Sequence, residues 1–154
     1  MALPPFSYRH DRAVPPFPDD KPIIVFDGHC VLCSGWANFV LRHDRRRAYR
    51  LLAAQSPLGE ALYAHYGLAG ADYQSNLLVQ GGSVFIKTEG SIRMAQGLGW
   101  PWRAAALLRV VPLAWRDRLY DWVAHNRIRW FGRSEACYLP AAEDADRFIF
   151  GGQL

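Results

Sequence analysis

Ile23-Ile24-Val25-Phe26-Asp27-Gly28-His29-Cys30-Val31-Leu32-Cys33 joins an apolar, partly β-branched run to a turn and then to two thiols. The run reads as a strand, Asp27-Gly28 ends it, and the next helix begins at the cysteines. Thiols at this spacing sit one helical turn apart and can close a small disulfide ring with little backbone movement. A thiol at a helix N-terminus also faces unpaired N–H groups and the positive end of the helix dipole, both of which favour thiolate. Lowering a cysteine pKa from about 8.5 to about 7 is worth roughly 2 kcal/mol. That is within reach of a helix end plus one cationic neighbour, and His29 is adjacent. The stretch implies a dithiol redox site, with Cys30 as nucleophile and Cys33 as resolving thiol.

Helical spacing of Val31, Trp36, Phe39, Val40 and Leu41 predicts a helix from Cys30 to the charged stretch at Arg42–Arg47. Tyr49–Ala54 reads as a second strand, and Ser56-Pro57 as an N-cap with proline at the first helical position, opening a helix that stops at Gly67. Asn76–Val79 and Val84–Lys87 read as strands joined by a tight turn at Gly81-Gly82. Glu89-Gly90-Ser91 leads into a helix that closes at Gly99. Two more helical segments follow, Trp102–Val111 and Leu113–Trp130, with Gly132 as the stop of the second. Phe148–Phe150 reads as an apolar anchor that docks back on the body.

The chain of 154 residues is long enough for one domain with a proper core. Three regions are expected: an extended, poorly ordered arm over 1–21, rich in proline; a core over 22–100; and a helical extension with its tail over 101–154, packed on the same domain. No apolar stretch approaches the ~20 residues that span a bilayer. The arm has no apolar block of signal-peptide length, so the expected compartment is the cytoplasm, where a close cysteine pair is more often redox-active or metal-binding than structural. The net charge of +4 comes from 16 Arg and 2 Lys against 14 acids. Its densest cluster, Arg42 to Arg50, ends a predicted helix, where cations suit the dipole, and lacks the aromatic interleaving of a nucleic-acid reader. No nucleic-acid partner, flavin, nicotinamide or haem cofactor is expected.

The element order strand-helix-strand-helix-strand-strand-helix, with CxxC at the first strand-to-helix junction, looks like the thioredoxin-like α/β fold, a three-layer sandwich with a helical C-terminal extension. More specifically, the chain resembles the DCC family of thiol-disulfide oxidoreductases. The resemblance is carried by Ile24–Cys33, by the glycine-turn hairpin with Ser91, by Val111-Pro112 with Arg116-Asp117 and Tyr120-Asp121, and by Asn126–Arg133 followed by Cys137. It implies an oxidoreductase acting on a disulfide-containing protein or small thiol substrate. Thioredoxins place a cis-proline before the third strand; the matching stretch here, Tyr73-Gln74-Ser75-Asn76, has none, and Val31-Leu32 stands between the cysteines in place of Gly-Pro.

Each remaining site residue has two readings. Asp27 is either the proton acceptor for Cys33 or a turn residue that satisfies nearby N–H groups. His29, Arg127 and Arg129 either stabilise the thiolate or are ordinary solvated and packing residues. Cys137 is either a third redox thiol or a lightly buried cysteine without chemistry. Two other functions remain on the same fold. One is a zinc module using Cys30, Cys33, Cys137 and a histidine such as His29 or His125; the other is a non-catalytic interaction domain.

Overall fold

The computed structural model describes residues 4–68, 76–133 and 146–149. Cys137 and the stretch Tyr73-Gln74-Ser75 lie outside them. Strands β1 (Ile23–Phe26), β2 (Arg50–Ala53), β3 (Leu77–Gln80) and β4 (Ser83–Ile86) form one mixed sheet in the order β2-β1-β3-β4. β1 and β2 run parallel; β1–β3 and β3–β4 run antiparallel. Helices α1 (Val31–His43), α2 (Pro57–His65), α3 (Lys87–Gln96) and α4 (Leu113–Phe131) complete the chain order. This is the thioredoxin-like α/β arrangement with a C-terminal helical extension.

The layers follow from the pleat, which sends alternate side chains of a strand to opposite faces. Ile23 and Val25 of β1 join Leu58, Leu62 and Tyr63 from the α2 side. Ile24 and Phe26 join Ala37 and Val40 of α1 and Met94 of α3 on the other. Both faces of β1 are covered, which is why its four residues read as a continuous apolar run instead of alternating.

Three local differences from the expected elements have physical causes. The proline-rich arm, expected to be extended and poorly ordered, packs on the α2 side of the sheet over residues 4–21. Tyr8 and Val14 are buried there, and the Phe6 N–H donates to Gly82 O at 2.7 Å. Gly82, with φ 76°, lies so close that a Cβ would meet the Phe6 ring. α3 starts at Lys87, directly out of β4, with Lys87 itself at φ 54°. Trp102–Val110 winds as 3₁₀ turns and runs into Pro112, which has no N–H to continue them. As expected, Ser56 caps α2 by accepting the Gly59 N–H. Phe148 pairs with Leu51 while Ile149 is buried.

Candidate active site

The site forms where two parallel strands end. Phe26 and Ala53 are partners in the β1–β2 register, so the residues that follow, Asp27 and Gln55, meet at the sheet's edge. Gln55 Nε2 donates to Asp27 Oδ1 at 2.5 Å, and Gln55 Oε1 accepts the Gly28 N–H at 3.0 Å. The same carboxylate oxygen accepts the His29 N–H at 3.0 Å. That contact is an Asx turn, and it sets the angle at which the chain enters α1. His29 itself is half-buried.

Asp27 also belongs to a buried ion pair. Its Oδ2 lies 3.2 Å from Arg127 Nη2, and both side chains are almost wholly shielded from water. Arg127 reaches the site from α4, while its Nη1 donates to Ala124 O at 2.9 Å and so steadies the guanidinium. Two positions further along α4, about 200° round the helix, Arg129 lies on the exposed side. His125 is exposed as well.

Cys30 is the N-cap of α1, with extended backbone at φ −83° and ψ 122°, and its Sγ accepts the Cys33 N–H at 3.3 Å. A hydrogen bond from the Cys33 thiol draws the Cys30 pKa down to about 6, even though burial opposes this. The Cys33 N–H and the Arg127 guanidinium act in the same direction. Cys33 moves the other way: its donated hydrogen bond, its burial and the neighbouring Cys30 charge all raise its pKa. The pair therefore holds one negative charge and one proton between two sulfurs. Both thiols are free of disulfides.

Access to the sulfurs is restricted. Cys30 is 0% exposed and Cys33 8%. Gly132 ends α4 at φ 89°, a conformation that suits glycine, and turns the chain back across the motif. The Val31 N–H then donates to Gly132 O at 3.4 Å, and Arg133 makes an antiparallel bridge with Cys30. On the Cys33 side a cavity of about 160 Å³ is lined by Trp36, Asn76, Tyr120, Val123 and Arg127. Burial pushes the Tyr120 hydroxyl up to about 12, and it lies 3.4 Å from the Asn76 N–H. A larger cavity of about 460 Å³, between Arg46, Arg93 and Arg103, reaches neither thiol.

The structure thus gathers Cys30, Cys33, Asp27 and Arg127, with the backbone of His29 in contact, and leaves Arg129 facing solvent. Among the described residues no three His, Cys, Asp or Glu side chains gather as a metal site. Gln55 and Tyr120 escaped the sequence reading. A usable signal for Gln55 was its place just past the end of the strand parallel to β1, where sites of open α/β sheets collect. Tyr120 stood in the sequence only as part of the family-like Tyr120-Asp121 pair, and it is the packing of α4 that brings it to the site from far along the chain.

The family model for DCC1-like thiol-disulfide oxidoreductase matches residues 24–133. The chain is 41% identical over 122 residues to a chloroplastic DCC family protein of Arabidopsis thaliana, covering 79% of this chain and 71% of that one. It is 32% identical over 127 residues to the uncharacterized protein YuxK of Bacillus subtilis, covering 82% and 93% respectively. No solved structure gives a significant match.

Proposed function

The chain belongs to the DCC1-like thiol-disulfide oxidoreductase family, and on that footing we propose that it exchanges electrons with disulfides through Cys30 and Cys33. The observation that carries this reading is the split between the thiols: Cys30 drawn down to about 6 and Cys33 raised. At neutral pH the first is a nucleophile and the second a protonated reserve.

In the reducing direction, the Cys30 thiolate attacks one sulfur of the substrate disulfide, and the other sulfur leaves as a thiolate. A mixed disulfide now joins Cys30 to the substrate. With the Cys30 charge gone, Cys33 no longer has an anion to hold its proton. It gives that proton up, attacks Cys30 Sγ and releases the second substrate sulfur. The substrate gains two electrons and the protein is left with a Cys30–Cys33 disulfide. Asp27 is the proposed proton acceptor for Cys33, poised by Arg127 and Gln55. An external dithiol resets the pair by the same steps in reverse, giving its two electrons to the Cys30–Cys33 disulfide and itself ending as a disulfide.

The covered state of Cys30 bears on the substrate. A substrate sulfur meets Cys30 only after the Gly132–Arg133 crossing shifts, so proposed substrates are extended peptide disulfides able to replace that crossing, or small disulfides. The proposed compartment is the reducing cytosol; among the described residues no helix is long and apolar enough to cross a membrane.

The test uses an aromatic disulfide that releases a coloured thiolate. In a Cys137→Ser background, which removes the third thiol of the chain, the reduced protein should release two equivalents and end as the intramolecular disulfide. Cys33→Ser should release one and keep a mass adduct on Cys30, and Cys30→Ser should react slowly. Equal behaviour of the two single variants would refute the assignment of roles.

A further inference from the structure

One side of α4 packs against α1 and α3 and buries Ala124 and Arg127. The opposite side is not an ordinary polar surface. Trp115 is 71% exposed, Leu119 60%, Trp122 57% and Trp130 47%. At about 100° per residue these four share roughly a third of the helix circumference with Arg118 and Arg129, both exposed. Such a stripe normally marks a core; here it faces away from the core. The acids of α4 turn towards α3 instead, Asp117 meeting Thr88 Oγ1 at 2.5 Å and Asp121 meeting Lys87 Nζ at 3.0 Å. Among the described residues the face therefore carries arginines and no carboxylate. The preceding 3₁₀ turns add exposed Leu107, Leu108 and Val110.

We propose that this face docks on the surface of an anionic lipid bilayer, with α4 lying in the plane of the headgroups. The charge selects the partner. A second copy packed through the same face would set arginines against arginines with no acid to answer them, whereas lipid phosphates answer each one. The side chains select lipid over an acidic protein. Indole rings settle at headgroup depth, and arginine stems lie along apolar surface while their guanidinium groups reach phosphate. The contact is peripheral, since no described helix is long and apolar enough to span. Arg127 meets Asp27 from the other side of α4, so docking would leave the dithiol about a helix diameter from the bilayer surface. The proposal rests on the face alone and stands or falls apart from the thiol chemistry.

The test is flotation of the full reduced chain with vesicles of phosphatidylglycerol and phosphatidylcholine in equal parts, against phosphatidylcholine alone. The chain should float with the anionic vesicles only, and high salt should weaken this at least about tenfold. Trp115→Ser with Trp122→Ser, and separately Arg118→Glu with Arg129→Glu, should each lose at least about tenfold in partitioning while keeping the wild-type far-ultraviolet dichroism and a cooperative urea transition. Failure to float with anionic vesicles at low salt would overturn the proposal, as would full binding by both variants. Equal or tighter binding to polyglutamate would assign the face to an acidic protein. A wild-type dimer that the tryptophan variant dissociates would assign it to a second copy.

Discussion

Two buried Arg–Asp pairs hold distant parts of this chain together, and only one of them lies beside the thiols. Asp44, at the end of α1, accepts the Ala48 and Tyr49 N–H groups at 3.0 Å each and pairs with Arg147 at 2.6 Å, which fastens residues 146–149 to the body. Asp27 accepts from Gln55 and His29 and pairs with Arg127, which fastens α4. In both, the side chains are about 5% exposed or less. The two are alike as structural devices, each an aspartate that organises a turn and is neutralised from far along the chain. What separates them is the neighbour: Arg127 lowers the Cys30 pKa, while Arg147 and Asp44 touch backbone groups. A buried ion pair is thus no sign of chemistry by itself; the group it polarises is.

The comparison breaks most visibly under deletion of one partner. Arg127→Met and Arg147→Met should each cost about 3–5 kcal/mol, because each strands a buried carboxylate, and urea melts of the reduced protein would measure it. Only Arg127→Met should also raise the Cys30 titration, by about one unit, read from the ultraviolet absorbance of the thiolate. If a single variant fails to fold, Asp27→Asn with Arg127→Met and Asp44→Asn with Arg147→Met restore neutrality and keep the contrast measurable. A thiolate titration that shifts equally in both would erase the distinction.

A second contrast concerns pH. Folded Cys30 releases its proton near 6, and an unfolded cysteine does so near 8.5. Between these the unfolded chain binds more protons, so stability of the reduced protein should rise with pH, by about 3 kcal/mol across the window, with the contribution gone below 6. Above about 8.5 the sign reverses, because Cys33 keeps its proton in the fold and loses it on unfolding. The profile should survive Asp44→Asn and vanish from Cys30→Ser with Cys33→Ser; a profile unchanged in the double variant would trace it to other groups.

Smaller effects sharpen the role of the aspartate. Asp27→Asn should slow release of the second thiolate by tenfold or more, as expected on losing a general base, with the first release changed much less; equal slowing of both would leave Asp27 a turn residue only. The mildest change is Gln55→Leu, which leaves the Gly28 N–H without its acceptor and should cost about 1–2 kcal/mol. A urea melt showing no loss would mean that water replaces the amide.

Much of this arrangement was legible in the sequence because it depends on local rules. An apolar run, Asp-Gly and CxxC mark a strand, its end and a helix start, and Ser56-Pro57, Gly81-Gly82 and Gly132 punctuate the chain where the structure turns. The sequence by itself determined the order of elements and the place of Cys30 at the start of α1, since capping and turn preferences act within a few residues, while the three layers were implied by the family resemblance. Only the tertiary structure decided that Arg127 instead of Arg129 meets the dithiol, that Gln55 and Tyr120 join it, that the arm over residues 4–21 packs on the sheet, and that Cys30 is covered by the chain beyond α4. Helical periodicity places Arg127 and Arg129 on opposite sides of α4 but does not say which side is buried. That choice is made by packing against α1 and α3, where the energy of burying a charge is met by a carboxylate 100 residues away in the chain.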